Sequence, residues 1–178
     1  SDREEFNLNA KADAPSIADA DPGKCIVDIC RPNYEAVIST SKDQTIISGG
    51  KLINQWIEND RNYFHFKTDT IIENEIPIIS GRYAVAHKKY DGVDVEVYYH
   101  PKHDYNISRI LDGLTDSYDY GNKYFSKYPY STLRVVEIPA YMSEGCARHF
   151  PTTFIWKETV GFATRYEEND IDIVYGIA

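Results

Sequence analysis

The chain has 178 residues, enough for one large domain or two small ones with a substantial core. Its 28 acidic side chains outnumber 19 Lys and Arg, and the resulting net charge of −9 argues against nucleic-acid binding, which relies on basic patches that neutralise phosphates. Fifteen Tyr and seven Phe in a 42% hydrophobic composition favour a strand-rich globular protein over a disordered one.

No apolar run approaches the ~20 residues of a membrane helix. The opening Ser1-Asp-Arg-Glu-Glu-Phe6 lacks the apolar segment of a secretory signal. The chain begins and ends abruptly, as an excised piece would, so that lack says little about compartment. Three cysteines are too few for a disulfide framework. Cys25 and Cys30 would face opposite sides of one extended strand, so free buried thiols are expected.

Residues 1–22 are polar, rich in Ala and Asp, and interrupted by Pro15 and Pro22, which marks an entry segment. From 23 to 84 short strands alternate with turn residues. Strand formers occupy 25–30, 35–39, 62–67 and 75–79, and Ser48-Gly-Gly50 supplies a turn. Turns at this spacing predict an antiparallel sandwich or half-sandwich. Asp91-Gly92 predicts a type I′ hairpin between strands at 83–86 and 93–99. In the second strand Val93, Val95, Val97 and Tyr99 share one face and Asp94 and Glu96 the other, so one side should be buried.

A helix is predicted over 104–126, with Ile107, Ile110, Leu111, Leu114, Tyr118 and Phe125 at helical spacing and Asp104 or Asn106 as its cap. Gly113 and Gly121 weaken it by about 1 kcal/mol each, so packing has to hold it. A strand comes next at 133–138, stopped by Pro139. The fold class expected is α+β: a β-rich, sandwich-like first part, then a mixed sheet with one long helix. Downstream, 146–158 reads as an edge strand and a small hairpin. Asp172, Ile173, Val174 and Ile177 read as the cap and apolar stripe of a second helix's opening.

Two clusters offer chemistry. His100-Pro-Lys-His103-Asp104 holds three metal-ligating types, but Pro101 prevents the i, i+4 helical geometry, so a strand-to-helix turn is expected. Glu137, Glu158 and Asp170 could form paired catalytic carboxylates, or three unrelated acids among many. Nucleophile elbows, phosphate-binding loops and dinucleotide glycine patterns are absent from the sequence.

Three phrases carry a family likeness: Val97-Tyr-Tyr-His-Pro-Lys-His-Asp-Tyr-Asn-Ile107, Arg134-Val-Val-Glu-Ile-Pro139, and Phe150-Pro-Thr-Thr-Phe-Ile-Trp-Lys-Glu-Thr-Val-Gly-Phe162. In order, they resemble the front of the catalytic domain of aminopeptidase N-type (gluzincin) zinc metallopeptidases, above all bacterial members fused to a transporter permease. The likeness is ordered over 93–178 and diffuse over 24–92. It implies that 23–84 ends a β-sandwich domain and that 85–178 is the front of a thermolysin-like catalytic domain, ending just before a His-Glu-x-x-His helix. The family's Gly-Ala-Met-Glu-Asn strand falls on Cys146, Ala147, Arg148, His149 and Phe150, and its Tyr-Arg-Glu element on Trp156, Lys157 and Glu158.

The resemblance therefore implies a peptide-binding role for Cys146, Ala147, Arg148, His149, Phe150 and Glu158. It places zinc in the intact parent protein and no metal or catalytic residue in this chain. Its partners would be a peptide substrate, the remainder of the catalytic domain and a permease domain of the same polypeptide, with the chain a soluble, extracytoplasmic part of a bacterial membrane protein. His149 replaces the family's amine-binding glutamate, and an imidazole cannot supply that anion. Amino-terminal trimming is thereby put in doubt. Two other readings stay open: a degenerate peptidase-like peptide-binding module of a transporter, and a β-rich adhesion or carbohydrate-binding module.

Overall fold

The computed structural model describes residues 5–9, 16, 31–142, 147–159 and 161–165. The chain divides into two units, Ser1–Cys30 and Arg31–Ala178, and every element below belongs to the second. The expected strand at 25–30, Cys25, Cys30, Cys146, Asp170 and the helix opening at 172–177 lie outside the described residues.

The β-rich part contains β1 (Glu35–Ser41), β2 (Thr45–Ser48), β3 (Lys51–Glu58), β4 (Arg61–Lys67) and β5 (Ile78–Gly81). Then come β6 (Ala84–Tyr90), β7 (Val93–Tyr99), helix α1 (Ile107–Tyr124), β8 (Thr132–Ile138), β9 (Ala147–Phe150) and β10 (Thr153–Lys157). The α+β class holds. Among the described residues the strands form a three-stranded sheet ordered β1-β4-β3, a two-stranded ribbon β2-β5, and a five-stranded sheet ordered β6-β7-β8-β10-β9.

Alternation builds the layers. Ile46 of β2 packs with Phe64 and Phe66 of β4 on the three-stranded sheet. Its neighbour Ile47 faces the other way, onto Tyr98 and Val136 of the five-stranded sheet. The ribbon is thus an apolar filling between two sheets, which the period-2 geometry of a strand allows. The opposite face of the five-stranded sheet meets α1: Val93, Val95, Val97, Leu133, Val135 and Trp156 pack against Ile107, Ile110 and Leu114.

The Asp91-Gly92 turn has φ of 44° and 82°, the two left-handed conformations of a type I′ hairpin. It sets seven antiparallel pairs between β6 and β7, from Tyr90↔Val93 to Ala84↔Tyr99. The expected apolar face of β7 is buried against α1, and its polar face is covered as well. There Glu96 accepts from the Nε of Arg134 at 2.9 Å, and Arg134 is only 1% exposed. The guanidinium also donates through Nη1 to the carbonyls of Ser48 (2.6 Å) and Gly50 (2.9 Å).

Three expectations need correction. The strand expected at 75–79 begins at Ile78, and β3 supplies an element that the turn spacing does not reveal. The helix is shorter than 104–126, and Phe125, expected on its buried stripe, sits at the C-cap and is 81% exposed. Asn106 occupies the N-cap position without a side-chain capping bond. Its amide instead donates to the carbonyls of Gly161 (2.6 Å) and Thr164 (2.7 Å), tying the chain after β10 to the start of α1.

Candidate functional site

Strands β7, β8 and β10 run parallel, β7 beside β8 and β8 beside β10. Their carboxyl ends therefore lie at one edge of the sheet, the end at which open α/β sheets place their ligands. Residues from the three strand ends meet there: His100 and His103 after β7, Glu137 near the end of β8, and Glu158 after β10.

Glu137 is 4% exposed, and both of its oxygens are engaged. Oε2 accepts from the backbone N–H of His100 at 2.6 Å, and Oε1 is hydrogen-bonded to Nδ1 of His103. The Pro101 turn sets up this arrangement, since His103 N–H donates to His100 C=O at 2.8 Å and brings the second imidazole back toward the sheet. The expected strand-to-helix turn is present. Glu158 is placed by β10: its N–H donates to Ile138 C=O at 2.9 Å, and its Oε1 accepts from Ala140 N–H at 2.9 Å. One ligand atom each from His103, Glu137 and Glu158 lies within 4.8 Å of the others. Two like charges at that separation repel by about 3 kcal/mol at an effective dielectric near 20. Among the described residues the side-chain partner of Glu137 is His103, an ion pair only with that imidazole protonated.

Each of these three residues falls in a cluster suggested by the sequence, but the structure regroups them. His103 stays beside His100, with ring centroids 4.8 Å apart, and joins the carboxylates, and Glu137 and Glu158 come together. Their convergence depends on strand pairing, which no local spacing encodes.

This edge opens onto a cleft of about 840 Å³ lined by Tyr83, His100, Glu137, Arg148, Phe150 and Glu158 among others. The hydroxyl of Tyr83 donates to Glu137 C=O at 3.0 Å. Burial, reinforced by the Glu137 carboxylate, pushes that hydroxyl up to about 12.

Of the residues matched to the family's substrate strand, Ala147, Arg148, His149 and Phe150 form β9, which among the described residues ends the sheet order and is paired on one side only. The Pro151-Thr152 turn joins β9 to β10, with Thr152 at φ 67°, uncommon for a β-branched residue. Thr152 is fastened there: its Oγ1 accepts from Gly50 N–H at 3.2 Å, and its carbonyl accepts from Arg134 N–H at 3.0 Å. Phe150 faces Thr153 across this two-residue loop and Arg148 faces Ile155. These are the hydrogen-bonded pairs of an antiparallel hairpin, which leaves the backbone groups of Ala147 and His149 directed to the open edge.

Side chains alternate, so Arg148 and Phe150 take one face and His149 the other. The Arg148 guanidinium lies 5.4 Å from the centroid of the Phe150 ring. His149, 6.3 Å from the Phe154 ring, lines a second hollow of about 500 Å³ with Glu73, Glu75, Tyr128 and Tyr130. Sequence reading misses these two glutamates, because their segment carries no motif.

The zinc implied by the resemblance belongs to a His-Glu-x-x-His helix. No stretch of the sequence has that pattern, so the chain's own residues do not fit that site. Among the described residues no helix is long and apolar enough to cross a membrane. Comparison with models of known protein families and with curated proteins finds no match to the chain.

Proposed function

We propose that the chain binds extended peptides along β9, as the substrate-edge portion of a peptidase-like domain. The observation that supports this most directly is the position of β9. Among the described residues it is a terminal strand beside an 840 Å³ cleft, with no strand paired to the outward backbone groups of Ala147 and His149. A peptide added there gains main-chain hydrogen bonds from the strand and selectivity from the hollows on its two faces. Arg148 and Phe150 would meet alternate side chains on one face, and His149 the next on the other.

In the wider form of this reading the parent polypeptide is a zinc metallopeptidase that carries its metal helix beyond Ala178, together with a permease domain. His149, where the family has an amine-binding glutamate, favours a second form: a peptidase-like module that binds peptide without trimming amino termini. A His-Glu-x-x-His pattern in the parent after Ala178 separates the two.

The test of binding is His149→Pro. Proline at an open-edge position removes an N–H that the sheet does not use, so the fold should persist. Peptide affinity, measured by amide chemical-shift titration with an acetylated and amidated peptide, should fall by about tenfold for the loss of a main-chain bond worth about 1–1.5 kcal/mol. Unchanged affinity in a folded variant would remove β9 as the binding edge.

A further inference from the structure

We infer that His103, Glu137 and Glu158 form a binding site for a divalent transition-metal ion, with Zn²⁺ the best match. This stands independently of peptide binding at β9, and it departs from the sequence-based expectation that the chain holds no metal.

The donor set is the first argument. One imidazole nitrogen and two carboxylate oxygens are borderline and hard ligands, suited to Zn²⁺ or Mn²⁺ rather than to thiolate-seeking ions. The second argument is convergence, since three donors from three different strand ends come within 4.8 Å of one another. For an ion to sit at ordinary ligand distances of roughly 2.0–2.2 Å, the His103–Glu137 hydrogen bond has to open and Glu158 to close in.

The third argument is charge. Glu137 is almost wholly buried, Glu158 is beside it, and among the described residues neither forms an ion pair with Lys or Arg. The Nδ1–H of His103 now donates to Glu137 at the place a cation would take. A divalent ion replaces that proton and neutralises both carboxylates. Backbone N–H groups of His100 and Ala140 hold the two carboxylates as outer partners, the kind of support that orients metal ligands. Three protein ligands leave a further coordination position for water. Glu137 and Glu158 both line the large cleft, so that position is reachable from it.

Zn²⁺ would be titrated calorimetrically into the metal-free 178-residue chain, near neutral pH and again at mildly acidic pH, in buffers of different ionisation heat. One ion per chain is expected, with weaker binding in acid, where protons compete with the metal for the ligands. His103→Ala and Glu158→Gln should each weaken binding by about tenfold or more, and by more than His100→Ala, which keeps the backbone N–H bonded to Glu137. Glu137→Gln leaves one acceptor oxygen for the two N–H donors that Glu137 serves, and is read only if its unfolding midpoint without metal matches that of the wild type. Absence of binding at millimolar Zn²⁺ would overturn the assignment, as would wild-type affinity in His103→Ala and Glu158→Gln. Loss of binding in His100→Ala equal to that in His103→Ala would also overturn it, assigning any ion to the imidazole pair instead.

Discussion

Arg134 illustrates how one side chain can set the relation between sheets. Its planar fork reaches Glu96 on the neighbouring strand and two carbonyls of the β2–β3 turn at once. A lysine could not reproduce that geometry. Arg134→Ala would leave Glu96 without its cation and the carbonyls of Ser48 and Gly50 without this donor. We expect it to destabilise the fold by about 3–5 kcal/mol, the range for breaking one side of a buried ion pair. Urea unfolding of the purified variant measures this, and a loss below about 1 kcal/mol would mean that water substitutes for the guanidinium. A lone arginine in an apolar strand carries no sequence signal for this role. Only the pairing of Thr153 with Arg134 and of Glu96 with Arg134 shows where it points.

At the level of elements, legibility depends on how local the determining interactions are. The β6–β7 hairpin is readable because a two-residue turn and an alternating strand specify it together. Strand β3 is not. Ile53 and Ile57 are exposed, and the pairing with β4 shifts between Leu52 and Asn54, so its alternation is broken. The Pro101 turn and the β9–β10 hairpin are legible, whereas the meeting of His103 with Glu137, 34 residues away, is not. Strand order decides that meeting. Helix α1 lies between these cases, with a readable apolar stripe but an end set by tertiary context. Gly121 lies in its last turn with open space around it, so a methyl group would meet nothing. Gly121→Ala should therefore stabilise the protein by about 1 kcal/mol, seen as a higher urea midpoint at unchanged slope. A destabilised variant would show that the end of α1 is not held as a helix.

For the molecule as a whole, buried tyrosines in its layers should make stability fall at alkaline pH. Burial raises the hydroxyls of Tyr83, Tyr98 and Tyr128, with nearby Glu137 adding to Tyr83 and Glu96 to Tyr98. For Tyr83 the folded value rises from the ordinary 10 to about 12. The unfolded chain loses this proton first, so the contribution is complete below pH 10 and is lost as pH rises through 12. Unfolding free energy should fall steeply across that interval. Tyr83→Phe should flatten part of the fall, because a phenylalanine has no proton to lose. Denaturant midpoints measured at several alkaline pH values check this, and an unchanged slope in the variant would exclude Tyr83 as a contributor.

The bond from Gly50 N–H to Thr152 Oγ1 joins residues 102 positions apart. Closing a flexible loop of that length costs about 4 kcal/mol of chain entropy, and a single neutral hydrogen bond returns about 1 kcal/mol. This contact cannot draw the two turns together by its own strength. It forms because the packing of Ile47, Tyr98 and Val136 has already brought them into place. The Gly50 amide is therefore an internal reporter. Its state registers whether the ribbon and the five-stranded sheet are seated on each other, while contributing little to seating them.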